Sequence, residues 1–234
     1  MAGVMSFAER VRAAAERNDS LLCVGLDPDL ARFPAALRER GAGDPAGAIV
    51  AFNRAIVEAT ADLVCAYKPN LGFYLAYGLA GLEALVRTRE LIPREIPTIL
   101  DAKVNDIGHT AAAYATGYLD QFGFDAVTAN PYLGTDGLEP FWRRADRGVL
   151  IICRTSNPGA GALQDVQVTR DGATAAPLNE IVARRIAEWA ERWGAPGAVG
   201  AVVGATAPRE LAAVRAILPD APILVPGVGT QGGP

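Results

Sequence analysis

Asp101 and Lys103 stand two residues apart in Asp101-Ala-Lys103-Val-Asn-Asp106-Ile107-Gly108, directly after the apolar run Ile96-Pro-Thr-Ile-Leu100. A short apolar run that ends abruptly in alternating charges reads as a buried strand whose last residues emerge at a site. On a strand, residues two apart point to the same face, so an acid and an amine share one face here. Withdrawing both from water is costly unless they pair, and a sequence that puts both at a strand end uses them for charge-based chemistry. The plain alternative is an ordinary ion pair of little energetic weight.

The elements that must position this motif follow from the wider pattern. Short apolar runs recur at Leu21–Leu26, Leu63–Tyr67, Thr98–Leu100, Ala126–Ala129, Val149–Cys153, Ala198–Val203 and Ile223–Val225, with helical patterns between them. Such alternation predicts a parallel sheet with crossover helices. Asp44-Pro45 opens the helix Ala46–Ala61 as N-cap and first-turn proline, and Pro208-Arg-Glu opens the helix before Pro219.

Every run except the sixth ends in polar or turn-forming residues: Asp27-Pro-Asp29, Lys68-Pro-Asn70, Asp101-Ala-Lys103, Asn130-Pro-Tyr132, Arg154-Thr-Ser-Asn-Pro-Gly159 and Pro226-Gly-Val-Gly-Thr-Gln-Gly-Gly233. Chemistry collected at the C-terminal ends of successive parallel strands marks an α/β fold of the TIM type, a (β/α)8 barrel. A doubly wound open sheet competes, but it would cluster its ligand loops at one switch point. The expectation is a single barrel domain over residues 1–234. A barrel needs eight strands and typically ~250 residues, so the eighth strand-helix unit is expected to be missing from a sequence ending Gly232-Gly-Pro234. Residues 155–177 lack a helical or strand period, and loops longer than about 12–15 residues are usually functional. They are read as a lid that closes over a ligand; Gln164 is a candidate lid contact.

Bulk properties set further bounds. The 234 residues are 50% hydrophobic and 21% charged, the balance of a globular protein, and no linker divides them. A net charge of −4 without a Lys/Arg cluster argues against nucleic acid as a partner. Cys23, Cys65 and Cys153 lie singly in apolar runs and read as buried reduced thiols, which points to the cytoplasm. The N-terminal residues mix charges among apolar ones and lack a signal-peptide core, and no run approaches the roughly 18 apolar residues of a membrane span.

The combination Asp101-x-Lys103-x-x-Asp106-Ile107 with Leu26-Asp27, Lys68 and Pro226-Gly-Val-Gly-Thr-Gln231 resembles orotidine 5′-phosphate decarboxylase, the cofactor-free enzyme that makes uridine 5′-phosphate. Asn130-Pro-Tyr-Leu-Gly-Thr-Asp136, Thr155-Ser-Asn-Pro-Gly-Ala160 and Val203-Gly-Ala-Thr206 resemble its bacterial branch with longer chains. The resemblance runs from about Leu22 to the last residue.

It implies decarboxylation of orotidine 5′-phosphate in de novo pyrimidine biosynthesis, with no cofactor and no metal. Loss of carbon dioxide leaves a carbanion with no electron sink, so electrostatics must carry the reaction. By resemblance Lys103 stabilises that charge and then protonates it. One charge pair ~4 Å apart is worth about 4 kcal/mol at an effective dielectric of about 20, against the ~8–23 kcal/mol typical of enzymes. The resemblance supplies an array, Lys68, Asp101, Lys103 and Asp106, in which each carboxylate offsets the repulsion between lysines.

It further implies that Asp106, Ile107 and Thr110 enter a neighbouring subunit's site, hence a homodimer with shared active sites; helix packing is the plain alternative for Ile107 and Thr110. Asp27 is matched to a ribose contact, with turn capping as its alternative. Ser156 is matched to a pyrimidine contact that helps hold the lid, Gln231 to a bridge between base and phosphate, and Pro226 to the same loop. Gly227 and Gly229 would let the backbone approach phosphate oxygens. A phosphate-gripping arginine after the eighth strand has no counterpart in this sequence.

His109 and the tryptophans Trp142, Trp189 and Trp193 read as a solvated side chain and as packing. Two other functions compete. A magnesium-dependent sugar-phosphate decarboxylase or aldolase of the same barrel superfamily would want a carboxylate where this chain has Lys68. A non-catalytic nucleotide-binding protein would bind without turnover.

Overall fold

The computed structural model describes residues 5–169, 175–193, 197–229 and 231–233. The chain divides into two compact units, a first of Glu9–Ala102 with Ala113–Val127 and a second of Met1–Ala8, Lys103–Ala112 and Thr128–Pro234. Its strands are β1 (Cys23–Leu26), β2 (Ala66–Pro69), β3 (Ile99–Val104), β4 (Ala126–Ala129), β5 (Gly148–Arg154), β6 (Gln167–Val168), β7 (Ala176–Pro177), β8 (Val199–Val203) and β9 (Ile223–Leu224). All seven expected strands are present, β4 with the expected bounds and the others with shifted ends. β1 and β2 start later than their apolar runs, since Leu21, Leu22 and Leu63 face solvent. β3 continues through its charged residues to Val104, which the apolar count alone does not reach.

In the first unit β1 pairs in parallel with β2, Cys23 opposite Ala66 through Leu26 opposite Pro69. β2 meets the β3 segment through parallel bridges at Tyr67–Thr98 and Asn70–Asp101. Leu26, Val57, Val64, Tyr67, Ile92 and Ile96 form a buried cluster around these strands. Burying each such side chain is worth roughly 1.5–3 kcal/mol. The helix Pro45–Thr60 begins as expected, with Asp44 Oδ1 accepting from Gly47 N at 2.8 Å and Pro45 in the first turn. Below the strands, buried Asp125 accepts from Thr98 N and Oγ1, both at 2.8 Å, and pairs with Arg10 at 2.7 Å. Buried charge is tolerated when it is satisfied in this way.

In the second unit β5 pairs in parallel with β8, and β8 with β9. All five residues of β8 are buried, as a parallel strand covered on both faces requires. The amphipathic helix Leu178–Arg192 packs against β5 and β8. Trp142 sits 6.0 Å from Trp189 and 5.2 Å from Trp193 between ring centroids, so the tryptophans pack as expected. The described part of the 155–177 segment carries short elements. It holds a 3-10 turn at Pro158–Ala160, a helical turn at Gly161–Gln164 and the antiparallel pair β6–β7. Elements of two to four residues are too short to print a period in the sequence. Residues 170–174 of the expected lid lie outside the described residues, as does Thr230 of the Pro226–Gln231 motif.

Candidate active site

In the first unit, Lys68 at the end of β2 and Asp101 on β3 meet: Nζ lies 3.0 Å from Oδ2, with side chains 13% and 11% exposed. Register explains the encounter. Asn70 bridges Asp101 across the parallel strands, and Lys68, two residues before Asn70, shares its face. Asn70 joins the pair itself. Its Nδ2 donates to Asp101 Oδ2 at 3.3 Å, its Oδ1 accepts from Gly72 N at 3.0 Å to cap the helix Leu71–Leu75, and its backbone N donates to Asp27 Oδ1 at 3.1 Å.

Three expected site residues, Asp27, Lys68 and Asp101, are thus gathered around a fourth that the residue pattern did not single out. The one signal for Asn70 is its place as a helix N-cap just after a strand. The capping role considered for Asp27-Pro-Asp29 falls to Asp29, whose Oδ1 accepts from Ala31 N at 3.1 Å, which leaves Asp27 to Asn70. Tyr74, fully buried, fixes the end of β1 by donating from its hydroxyl to Leu26 O at 3.0 Å. Cys65 and Cys153 are buried as expected, whereas Cys23 on β1 is half-buried; desolvation still pushes its thiol up to about 12, while the nearby Lys68 ammonium pulls the other way.

The second unit carries Lys103, Asp106, Ile107 and Thr110 on one stretch. Lys103 has φ +49° in the left-handed region, which costs a non-glycine residue roughly 1–2 kcal/mol. Its backbone N donates to Thr128 Oγ1 at 2.9 Å, and Thr128 is 1% exposed. Regular strand alternation therefore does not carry through Lys103, and the two-residue spacing alone does not fix where its side chain points. Backbone held in such a conformation clusters at functional sites.

Asp106 turns one carboxylate oxygen to the following backbone, Oδ1 accepting from Ile107 N at 2.8 Å. Asn105 donates from Nδ2 to Asn130 O. Gly137 lets this loop pack closely, because a Cβ there would lie 2.6 Å from Asp106 O. Ile107 is 60% exposed, and Thr110 lies exposed in the first turn of the helix Gly108–Ala115, as does His109.

Also in the second unit, Ser156 and Gln231 meet directly, Oγ donating to Oε1 at 2.6 Å. Ser156 O accepts from Thr206 Oγ1 at 3.0 Å, and Pro226 O accepts from Ala205 N at 2.8 Å, so the loop after β9 is pinned to the loop after β8. Gly227 and Gly229, expected to give the backbone freedom, have φ +98° and +80°. Gln164 reaches its own loop, Oε1 accepting from Thr155 N at 2.8 Å. Among the described residues no group of three His, Cys, Asp or Glu is placed to hold a metal ion, and no helix is long and apolar enough to cross a membrane.

Comparison with known proteins gives one answer. The model of the orotidine 5′-phosphate decarboxylase / HUMPS family matches residues 20–234. An orotidine 5′-phosphate decarboxylase of Thermomicrobium roseum is 56% identical over 98% of this chain and 78% of its own length. A solved structure described as a putative orotidine-monophosphate decarboxylase of Toxoplasma gondii is 37% identical with a TM-score of 0.88, over 98% of this chain and 80% of that one. The Leishmania donovani UMP synthase is 40% identical with a TM-score of 0.84, and the match covers 98% of this chain and 46% of the synthase. These names favour the decarboxylase over the magnesium-dependent alternative. With sequence and backbone agreeing over nearly its whole length, the chain belongs to the orotidine 5′-phosphate decarboxylase family, whose fold is the TIM barrel.

Proposed function

We propose that the reaction this chain catalyses, decarboxylation of orotidine 5′-phosphate to uridine 5′-phosphate in pyrimidine biosynthesis, is carried by Lys103 within the array Lys68, Asp101, Lys103 and Asp106. The bond from the pyrimidine ring to its carboxylate breaks, the electron pair stays on the ring carbon, and carbon dioxide leaves. Lys103 stabilises that carbanion and then transfers a proton to the same carbon. The observation that carries this reading is the Lys68–Asp101 ion pair at 3.0 Å. It is a charged arrangement at the strand ends, where a TIM barrel builds its site. Asp27 is assigned to the ribose, Ser156 to the pyrimidine, Gln231 to a bridge between pyrimidine and phosphate, and Pro226 to the same substrate-binding loop. No cofactor or metal enters the reading, and residues 1–234 are taken as one barrel domain.

The assay follows the ultraviolet absorbance of orotidine 5′-phosphate in excess chelator for the wild-type chain and Lys103→Ala. Turnover in the wild type, reduced by a factor of about 10³ or more in the variant, is the expected result. Unchanged turnover in the variant refutes the role of Lys103, and binding of nucleotide without any turnover in the wild type favours a binding protein.

Two finer assignments belong to the same proposal. The first is a homodimer in which Asp106, Ile107 and Thr110 enter the partner's site. It is supported by an isoleucine left 60% exposed beside a charged motif. Sedimentation of Ile107→Glu against wild type tests it, a dimer that persists unweakened counting against the assignment. The second is a cytoplasmic location, supported by three cysteines that form no disulfide. Fractionation of cells producing the tagged chain decides it.

A further inference from the structure

Arg154 ends β5, and Asp165 follows the helical turn Gly161–Gln164. They form a two-point ion pair, Nε to Oδ1 at 2.8 Å and Nη2 to Oδ2 at 3.1 Å. Such a fork fixes orientation as well as distance. Around it, Thr155 is held at three atoms. Arg154 Nη1 donates to Thr155 O at 2.6 Å, Thr155 N donates to Gln164 Oε1 at 2.8 Å, and Gln164 Nε2 donates to Thr155 Oγ1 at 3.0 Å. Asn179, 1% exposed, ties the arrangement to the helix Leu178–Arg192 by donating from Nδ2 to Gln164 O at 2.9 Å and to Asp165 Oδ1 at 3.1 Å.

The residue after Thr155 is Ser156, whose hydroxyl meets Gln231. We infer that Arg154, Gln164, Asp165 and Asn179 are positioning residues that set Ser156 against Gln231 for recognition of the substrate's pyrimidine. This rests on the assignment of Ser156 made above. The ion pair lies at and beyond the end of its strand, with the Arg154 side chain 14% and the Asp165 side chain 40% exposed, so the fork steadies this loop as well as orienting it. What the contacts do fix is the path of the backbone at Thr155. A displacement there of the order of 1 Å is enough to misplace a substrate contact.

The test is a double-variant cycle on kcat/KM for orotidine 5′-phosphate, with Asp165→Ala, Ser156→Ala and both together, each checked by thermal melting. Asp165→Ala is expected to lower kcat/KM about tenfold beyond what any fall in melting temperature accounts for, and the double variant to be no worse than Ser156→Ala alone. Arg154→Lys keeps the charge but loses the fork, and is expected to fall in the same direction, which covers the case of a poorly folded Asp165→Ala. Effects that multiply in the double variant, or an Asp165→Ala and Arg154→Lys pair with unchanged kcat/KM, overturn the inference. A silent Ser156→Ala overturns the assignment of Ser156 itself, and the two failures are thereby told apart.

Discussion

Ser156 Oγ donates to Gln231 Oε1 at 2.6 Å although the two residues are 75 positions apart. Gly227 makes room for this pair. A Cβ at Gly227 would lie 2.7 Å from Gln231 Oε1 and 2.9 Å from Ser156 Cβ, on a backbone at φ +98° that L side chains rarely adopt. Gly227→Ala is therefore expected to combine strain of roughly 1–2 kcal/mol with crowding of roughly 1–3 kcal/mol. Gly229→Ala, at φ +80° with no atom of the described residues beyond its chain neighbours within 4 Å of the new Cβ, carries the strain alone. Melting curves and kcat/KM for the two variants should separate, Gly227→Ala losing at least about tenfold more activity than Gly229→Ala. Equal losses would show that crowding of the Ser156–Gln231 contact is irrelevant.

The Lys68–Asp101 pair is expected to matter to folding as well as to turnover. Removing one partner of a largely buried pair leaves a charge with reduced compensation, at a cost of about 3 kcal/mol or more. Asn70 continues to donate to Asp101 in Lys68→Ala and softens that loss. Lys68→Ala is thus expected to be less destabilised than the double variant Lys68→Ala/Asn70→Ala, while both lose turnover. Chemical denaturation of the three proteins measures it, and a Lys68→Ala protein as stable as wild type contradicts the expectation.

Much of the fold is legible in the sequence. The strands appear as apolar runs bounded by turn residues, and Asp44-Pro45 marks a helix start, because these signals are local in the chain. Asn70 was not legible, since its role depends on the register that sets residue 70 beside residue 101, and register is a property of two strands. The Arg154–Asp165 pair escaped for the same kind of reason, being made between a strand end and a turn with no period to join them. Nothing in a lysine announces the left-handed backbone of Lys103. Ser156 and Gln231 stood out only through family resemblance, and the contact between them came from the fold.

Thr128 is expected to support Lys103. Its hydroxyl accepts from Lys103 N at 2.9 Å, and that bond helps hold a backbone conformation unfavourable by roughly 1–2 kcal/mol. Thr128→Val keeps the shape and removes this acceptor, at a cost of about 1–3 kcal/mol for the lost bond in a buried place. Thr128→Ser keeps the acceptor. The expected outcome is a kcat about tenfold lower in Thr128→Val and near wild type in Thr128→Ser, with KM changed less than kcat. If the two variants behave alike, the hydroxyl does not act on Lys103.

The cysteines give the chain a pH dependence whose sign follows from their burial. Burial pushes the Cys153 thiol from 9.0 up to about 12, and Cys23 likewise to about 12, so the fold favours the neutral thiols. A group whose pKa is raised on folding contributes its stability in full below the unfolded value. That contribution is lost as pH rises through the folded value. Unfolding free energy should therefore hold steady from neutral pH to about 9 and then decline toward about 12, and Cys153→Ala should flatten part of the decline. The same protonation predicts slow reaction with a thiol-specific disulfide reagent at mildly alkaline pH, with all three cysteines reacting after denaturation. Rapid labelling of Cys153 in the native chain, located by mass spectrometry, would show that its thiol is neither buried nor held neutral.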